Sequence, residues 1–282
     1  MEPDIHTEFE PRTGTWQYVV ADPATKDAVI IDPVLDYDLP TGIISTTSAD
    51  ALLDIVISNR YTVSRILETH AHADHLTASR YIQKRLSQTL WKRRPEVCIG
   101  HRITQLQEML GQSYGIPADE LRDAFDHTFI DGERFDIGNI KAEVIHLPGH
   151  TPDHIGYVIG ANLFVGDSMF NPDVGSARCD FPGGSAHDLY QSMQQLLSYP
   201  DHFKLFTGHD YPPQDRSLAS GATPRAVPYT TVEIQKLENK HAKSDTSIEH
   251  FIKMREERDS SLAKPKLLQQ AMQVNLRGGK VL

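Results

Sequence analysis

The stretch of the sequence best suited to chemistry is Thr69-His70-Ala71-His72-Ala73-Asp74-His75, which follows the apolar pair Ile66-Leu67. Imidazole is the commonest metal donor in proteins, and a carboxylate adds negative charge that balances a cation. If the chain is extended here, His70 and His72 point the same way, because strand side chains repeat every second residue. We expect a helix to begin at Asp74, whose charge suits a first helical turn. The stretch therefore predicts a metal centre.

Three shorter polar motifs each follow a strand-like segment: Pro148-Gly149-His150, Gly166-Asp167 and Gly208-His209-Asp210-Tyr211. Strand ends on one edge of a sandwich can converge in space, which would build one site from distant parts of the sequence. The candidate metal ligands are His70, His72, Asp74, His75, His150, Asp167 and His209.

Other polar residues are weaker candidates for the site. We expect His146 to be a core or flank residue of a strand, His154 to close the pocket wall, and His187 to lie on the surface. Cys179 is expected to be a small buried residue, which is the usual setting of a free thiol. Asp32 follows an apolar strand and is interpreted either as a strand-ending turn residue or as an early structural aspartate.

Composition narrows the class of protein. The chain has 282 residues, 39% hydrophobic and 23% charged, which suits one large domain or a domain with an appendage. The net charge of −10 argues against nucleic-acid binding, which needs a basic face. Two cysteines make no disulfide framework, and no apolar run approaches the ~18 residues of a membrane span. With an acidic N-terminus, we expect a cytoplasmic protein, with the mitochondrial matrix as the alternative.

Hydrophobic periodicity and turn residues predict the elements that carry these motifs. We expect a helix at about 48–60 with a capping box from Thr47 to Asp50, and a strand at 64–69 followed by a helix to about Leu86. A basic run at 91–94 is expected in a connecting loop. The predicted hairpins are 15–20 with 28–31, 129–135 around Asp131-Gly132, and 156–159 with 163–165.

The remaining pattern divides the chain into two parts. The stretch 168–186 is rich in Gly, Pro and Asp and is expected to be a long functional loop. Charged helices are expected at 231–242 and 247–262. Short strands in two batches, each with its own helices, predict an α/β fold of two face-to-face sheets with helices outside. We therefore expect a catalytic domain at 1–224 and a C-terminal helical extension at 225–282.

The ligand motifs together resemble the metallo-β-lactamase fold superfamily, from about residue 13 to 216. That resemblance implies a four-layer αββα sandwich with metal bound where the two sheets meet. Within the superfamily, the loop 166–184, the stretch 206–211 and the tail near 273–277 are similar to the persulfide dioxygenase branch, especially its bacterial type. This branch is related to glyoxalase II.

The resemblance to this branch implies one iron(II) per chain, held by His70, His150 and Asp167. His72, Asp74, His75 and His209 would then orient ligands and water. The implied reaction oxidises glutathione persulfide, or a similar small persulfide, with O₂ to sulfite and thiol. The candidate catalytic residues are Tyr211 as a hydrogen-bond donor, Arg178 as an anion-steering group or a structural salt bridge, and Asp74.

Two alternatives stay open at the level of the sequence. Asp74, His75 and His209 could join Asp167 in a second site, giving a two-zinc thioester hydrolase of the glyoxalase II type. The chain could also bind a metal or a persulfide without turnover. A homodimer is an expectation from the resemblance alone.

Overall fold

The computed structural model describes residues 2–88, 94–214, 216 and 225–281. The strands of this part of the chain are β1 (Asp4–Glu10), β2 (Thr15–Ala21), β3 (Asp27–Ile31), β4 (Val34–Asp38), β5 (Ile43–Ser45), β6 (Thr62–Leu67), β7 (Leu76–Thr77), β8 (Glu96–Gly100), β9 (His127–Phe129), β10 (Arg134–Ile137), β11 (Ile140–His146), β12 (Ile155–Ile159), β13 (Asn162–Phe164), β14 (Lys204–Phe206) and β15 (Tyr229–Thr231). The helices are α1 (Thr47–Ser58), α2 (Ser79–Ser87), α3 (Ile103–Leu110), α4 (Ala118–Arg122), α5 (Ala186–Leu197), α6 (Val232–Glu238), α7 (Ile248–Asp259) and α8 (Leu268–Asn275). None of these helices has the length and hydrophobicity that a bilayer crossing requires.

The first large sheet has the strand order β1-β2-β3-β6-β8-β9. The hairpin of β2 and β3 is confirmed, with Tyr18 opposite Ile31. Strands β3, β6, β8 and β9 run parallel to one another. Because parallel strands end at the same edge, Asp32 after β3 and Thr69 after β6 are brought together, and the Thr69 amide donates to Asp32 Oδ1 at 2.7 Å.

The second large sheet has the order β10-β11-β12-β13-β14-β15. The hairpin of β12 and β13 is confirmed, and β14 runs parallel to β13. Two antiparallel steps make β11 parallel to β13 as well. The chain segments after β11, β13 and β14 therefore leave from one edge of the sheet, and they carry His150, Asp167 and His209.

Side-chain alternation packs the two sheets face to face. Trp16, Tyr18 and Val20 of β2 lie in one apolar cluster with residues of both sheets, including Tyr157 of β12. Their neighbour Val19 lies in a separate cluster with α1 and α2. Helices α5 and α7 contribute to a third cluster on the outer side of the second sheet. These layers confirm the expected αββα sandwich.

The expected helix from Asp74 is wrong. Strand β6 ends at Leu67, and residues 69–75, called the metal-motif stretch below, are irregular. Leu76 then pairs with Leu35 before α2 begins at Ser79. The His70 and His72 rings lie 4.1 Å apart, with Nδ1 of His70 beside the Thr69 hydroxyl and Nε2 of His72 beside Asp32. The helix dipole at Asp74, worth under about 1 kcal/mol, is too weak to outweigh these long-range contacts.

Two further local expectations are wrong. Residues 129–135 do not form a hairpin, because β9 belongs to the first sheet and β10 to the second, so the Asp131-Gly132 turn connects the two sheets. Helix α1 forms as expected, but without a capping box. The residue preceding it, Thr46, donates from its hydroxyl to Asp50 at 2.7 Å and caps no backbone amide.

The C-terminal region contains the two expected helices, as α6 and α7, and a third helix, α8, that the sequence did not indicate. The division between 1–224 and 225–282 stays a prediction, and its border falls at residues 217–224, outside the described residues. Most of the basic run at 91–94 also lies outside them. Val274 of α8 joins the apolar cluster of α1 and α2, so the C-terminal region packs directly on the first sheet's helices.

Candidate metal centre

Three side chains converge where the strand ends of the two sheets meet. One ligand atom each of His70, His150 and Asp167 lies within 4.8 Å of the others, and all three residues are buried. The Nε2 atom of His70 and Oδ1 of Asp167 have no hydrogen-bond partner among the described residues. Buried polar atoms are rarely left without a partner, and an imidazole nitrogen beside a carboxylate oxygen is the donor set that a metal ion satisfies. This group fits a bound metal, and it contains the three residues that the resemblance implies.

The histidines of this group are oriented by hydrogen bonds to their other ring nitrogen. The Thr69 hydroxyl donates to Asp32 at 2.8 Å, so its oxygen accepts from Nδ1–H of His70 at 3.0 Å. His150 donates from Nδ1 to the Arg178 carbonyl at 2.7 Å. Both bonds leave Nε2 unprotonated and able to bind a metal. Burial lowers the pKa of His70 well below its ordinary value, with His72 acting in the same direction.

Asp167 and His70 are both supported by His154. The Asp167 amide donates to Nε2 of His154 at 3.0 Å, and the rings of His154 and His70 stack with centroids 4.6 Å apart. Burial keeps the pKa of His154 well below its ordinary value, so the ring stays neutral and can accept this bond. His154 was expected in the pocket wall. It is fully buried behind the metal group instead.

A second group lies beside the first and is differently paired. The Nε2 atom of His72 is 3.1 Å from Asp32 Oδ1 and 3.4 Å from Glu68 Oε2, and all three side chains are buried. Burial alone would lower the pKa of His72, but the charges of Asp32 and Glu68 outweigh it and raise that pKa well above the ordinary value. The two carboxylates therefore favour the charged form of His72, and of its ring nitrogens only Nδ1 lacks a partner among the described residues.

The surroundings of the metal group also include Asp74, His75 and His209. His209 Nε2 is 3.1 Å from Asp74 and 3.5 Å from Asp167. Burial works against ionisation of Asp74, but the charges of His209 and His75 lower its pKa to about 2. Burial and His72 lower the pKa of His75 to about 3, and its Nε2 has no partner among the described residues. One ligand atom each of His72, Asp74 and His75 also lies within 4.8 Å of the others.

A cavity of about 380 Å³ opens beside the metal group. Its lining includes Asp74, His150 and Asp167 and, from the C-terminal region, Arg255, Arg258, Leu262 and Pro265. A cavity of this size suits a small-molecule substrate.

Of the two interpretations of Arg178, the structure supports the salt bridge. Its guanidinium donates two bonds of 2.5 Å to Asp180 and a third to the Ala263 carbonyl at 2.8 Å. Its charge is thus balanced locally. Arg258 lines the same cavity and is exposed, and its guanidinium has no ion pair with any of the described residues. The sequence did not single out Arg258, since it lies in a helix rich in charged residues.

Tyr211 lies where the expectation placed it. Its ring stacks on His209 at 8° with centroids 5.6 Å apart, and it lines the cavity. Tyr211 is 49% exposed, but burial at its hydroxyl end and the charges of Asp74 and Asp167 raise the pKa of that hydroxyl well above the ordinary value, so it remains a proton donor. Gly14 makes room for this ring, because a Cβ there would come within 2.7 Å of it, and Gly14 has φ of +72°.

The remaining candidates occupy structural positions. Cys179 is buried as expected, and burial raises the pKa of its thiol well above the ordinary range. His146 is half-buried at the end of β11, and His187 is on the surface with its ring 3.1 Å from Asp188. Sequence reasoning missed Asp153, whose carboxylate accepts from the Ala71 amide at 2.9 Å. Its place three residues after His150 was the available signal.

Comparisons with known proteins agree with this geometry. The family model described as the metallo-beta-lactamase superfamily matches residues 11–209. The chain is 44% identical over 99% of its length to the beta-lactamase hydrolase-like protein of Xylella fastidiosa (strain Temecula1), and it spans 61% of that relative. It is 40% identical to glyoxylase B2 of Dictyostelium discoideum, with 99% of this chain and 91% of that protein covered.

Two more distant relatives bear on the chemistry. The mitochondrial persulfide dioxygenase ETHE1 of Bos taurus is 26% identical, over 96% of this chain and 87% of that protein. The crystal structure of ETHE1 from Myxococcus xanthus superposes with a TM-score of 0.74 at 27% identity, and it covers 98% of this chain and 100% of that one. The first three relatives found each extend well beyond this chain, which spans 61% of their length.

Proposed function

This chain belongs to the metallo-β-lactamase superfamily, and on that premise we propose that it is an iron(II)-dependent persulfide dioxygenase acting on a glutathione-type persulfide. The observation that supports this most is the group of two imidazoles and one carboxylate, His70, His150 and Asp167, with one ligand atom of each within 4.8 Å of the others and no hydrogen-bond partner for Nε2 of His70 and Oδ1 of Asp167 among the described residues. Two histidines and one carboxylate on one face are typical of non-haem iron(II) oxygenases. When bound, iron(II) supplies open positions where a persulfide sulfur and O₂ can react.

The overall reaction balances without a further reductant. The persulfide gives up four electrons to O₂, the bond between its two sulfurs breaks, and one water supplies the third oxygen of sulfite. The inner sulfur leaves as the thiol, and two protons are released. The residues of this chain bind the carrier, orient its terminal sulfur and supply a hydrogen bond to it.

The cavity offers contacts for such a substrate. We propose that Arg258 binds a carboxylate of the thiol carrier, because it is the cavity-lining arginine whose charge has no ion pair with the described residues. Phe170 and Leu262 line the same cavity and give it apolar surface for the carrier's methylene groups. The Tyr211 hydroxyl, kept protonated by burial, can donate to the oxidised sulfur group. Asp74, bound to His209, orients the water that completes sulfite.

A two-zinc thioester hydrolase is the second candidate, and one observation favours it. The Nε2 atom of His75 is buried without a partner among the described residues, and Asp74 lies beside it. Release of His209 from Asp74 would let all three join Asp167 in a second metal site. The pairing of His209 with both carboxylates weighs against it in this structure.

Metal content and turnover, measured on the same preparation, test the proposal. The protein is reconstituted anaerobically with iron(II) or with zinc, and metal per chain is determined. O₂ uptake with glutathione persulfide and cleavage of a glutathione thioester are then followed. One iron per chain with O₂ uptake and sulfite supports the dioxygenase. Two zinc ions per chain with thioester cleavage contradict it, and tight persulfide binding without either reaction would mean a binding protein. The homodimer and the cytoplasmic location stay predictions.

A further inference from the structure

The last residue of α8, Asn275, contacts the backbone of the metal-motif stretch. Its Nδ2 donates to the carbonyls of His72 at 2.7 Å and His75 at 2.8 Å. Its Oδ1 accepts from the Thr77 amide at 2.9 Å. The side chain is buried. A primary amide has two N–H donors, and here both are used on one segment about 200 residues away in the sequence.

This segment needs such a partner, because it is buried and irregular. Residues 68–75 belong to no strand or helix, so their carbonyls receive no regular ladder bonds. A buried carbonyl left without a donor costs roughly 1–3 kcal/mol. Asp74 lies between the two anchored carbonyls, which are those of His72 and His75. The amide therefore fixes the backbone on both sides of Asp74.

The other anchors of the stretch act on its first half. Asp32 receives the Thr69 amide and hydroxyl, and Asp153 receives the Ala71 amide. Both of these residues come from strand ends within the sandwich. Asn275 is the anchor of the second half, and it comes from the C-terminal region. The stretch is thus held by side chains from two different parts of the chain, in addition to the Ile155 amide, which donates to the Thr69 carbonyl at 2.9 Å.

Helix α8 is itself firmly placed, so it can serve as a support. Gln107 of α3 donates to the Leu276 carbonyl at 2.8 Å. Arg277 is buried, donates to the Gln273 carbonyl at 2.7 Å and pairs with Glu120 of α4. Met272 and Leu276 share an apolar cluster with Ala71 and Ala73 of the metal-motif stretch. These contacts hold α8 in place independently of Asn275.

We propose that Asn275 is a positioning residue for the metal centre, through which the C-terminal region sets the metal affinity and the placement of Asp74 and His75. This rests on the proposed function only in taking His70, His150 and Asp167 as metal ligands. Asn275 contacts neither metal nor substrate on this proposal. It acts through two backbone carbonyls and one amide.

The test compares Asn275→Asp with Gln269→Glu. The first variant keeps an oxygen for the Thr77 amide but replaces both donors with an oxygen that faces two carbonyls. Gln269 is exposed on the same helix, so the second variant introduces the same charge without touching the stretch. Hydrogen–deuterium exchange of the metal-free protein, cobalt(II) affinity, and kcat and KM for glutathione persulfide are measured on each.

We expect Asn275→Asp to weaken cobalt(II) binding by roughly 10-fold or more, as loss of a supporting hydrogen bond commonly does. Exchange should accelerate in peptides covering 70–78 and stay unchanged in β10 to β12. kcat should fall while KM changes little, and Gln269→Glu should match the wild type. If Asn275→Asp does not fold, the neutral Asn275→Ala takes its place with the same expectations.

Unchanged cobalt(II) affinity together with unchanged exchange at 70–78 would overturn the proposal. A uniform rise in exchange over the whole chain with normal affinity would equally overturn it, because that is general destabilisation. If the Asn275 variant binds cobalt(II) more weakly and the wild-type protein takes up no O₂, this proposal stands and the dioxygenase proposal fails. If the wild-type protein takes up O₂ and substitution of Asn275 leaves that uptake unchanged, the dioxygenase proposal stands and this one fails.

Discussion

Two groups of histidines and carboxylates lie side by side in this protein and differ in how their charges are partnered. In the group of His70, His150 and Asp167, the outer ring nitrogens bond to neutral oxygens, Nε2 of His70 has no hydrogen-bond partner among the described residues, and Oδ1 of Asp167 lies 3.5 Å from His209. In the neighbouring group, His72 and His209 are paired with carboxylates. The same residue types are thus oriented by neutral oxygens in one group and paired with carboxylates in the other.

This difference comes from the hydrogen-bond acceptor that each imidazole ring meets. A neutral hydrogen-bond acceptor fixes the tautomer of a histidine without protonating it, so the other nitrogen keeps its lone pair. A buried carboxylate instead favours the imidazolium, which cannot bind a metal through the protonated nitrogen. Asp32 serves both groups, since it accepts from Thr69 behind His70 and pairs with His72 directly.

The largest effect is expected from removing a member of the first group. His150→Ala should abolish both iron binding and O₂ uptake, because two ligands cannot hold the ion in a site of this kind. The loss is measured as the iron content per chain and the rate of O₂ consumption. The matched control is His146→Ala, a half-buried histidine at the end of the preceding strand, which should keep both. Retention of full iron content by the His150 variant would remove this residue from the ligand set.

A large loss of stability is expected when the buried ion pair of the second group is broken. Asp32→Ala removes the nearest carboxylate from the buried His72 and should lower the free energy of unfolding by about 3–5 kcal/mol. Urea unfolding of the metal-free protein measures it. Asp136→Ala breaks the exposed pair with Lys141 and should cost under about 1 kcal/mol. Equal costs for the two variants would show that His72 is not held as an imidazolium.

A selective effect on turnover is expected at Asp74. On the single-metal proposal, Asp74→Ala keeps one iron per chain and lowers kcat by roughly 10- to 100-fold, since Asp74 orients His209 without binding the ion. Iron content and kcat are determined on the same sample. The control is Asp201→Ala, an exposed carboxylate paired with Lys236 outside the cavity lining. Loss of one of two metal ions would instead favour the hydrolase.

The smallest effect is expected at the mouth of the cavity. Arg258→Ala should raise KM for glutathione persulfide by roughly 10-fold with little change in kcat, because a charge-assisted hydrogen bond to a carboxylate is worth about 1.5–3 kcal/mol at most. Steady-state O₂ uptake measures both constants. Lys253→Ala removes a cation from the same helix outside the cavity lining and should leave KM unchanged. A normal KM for the Arg258 variant would assign carrier binding to other residues.

Much of the fold and the convergence of the first group could be predicted from the sequence. His150, Asp167 and His209 follow strands, and parallel strands end at a common edge, so local patterns were enough to bring them together. Hairpins β2–β3 and β12–β13 were equally local, since turn residues and alternation define them.

The errors have a common cause. At Asp74 a local preference for a helix start met a two-residue pairing with β4 and an ion pair with His209, and the long-range contacts prevailed. At Asp131-Gly132 the turn was correct but its strands joined different sheets. Turn residues specify how sharply a chain reverses, whereas strand pairing depends on which apolar faces are buried.

The sequence by itself determined which residue types would meet, and the tertiary structure decided what each of them does. Whether Arg178 or Arg258 is free depends on Asp180 and on the placement of α7. The backbone of the metal-motif stretch is anchored by Asn275, which lies in a helix that hydrophobic periodicity did not predict. Charges and hydrogen bonds act over a few ångströms, so their partners are chosen only when the packed layers bring distant side chains within that range.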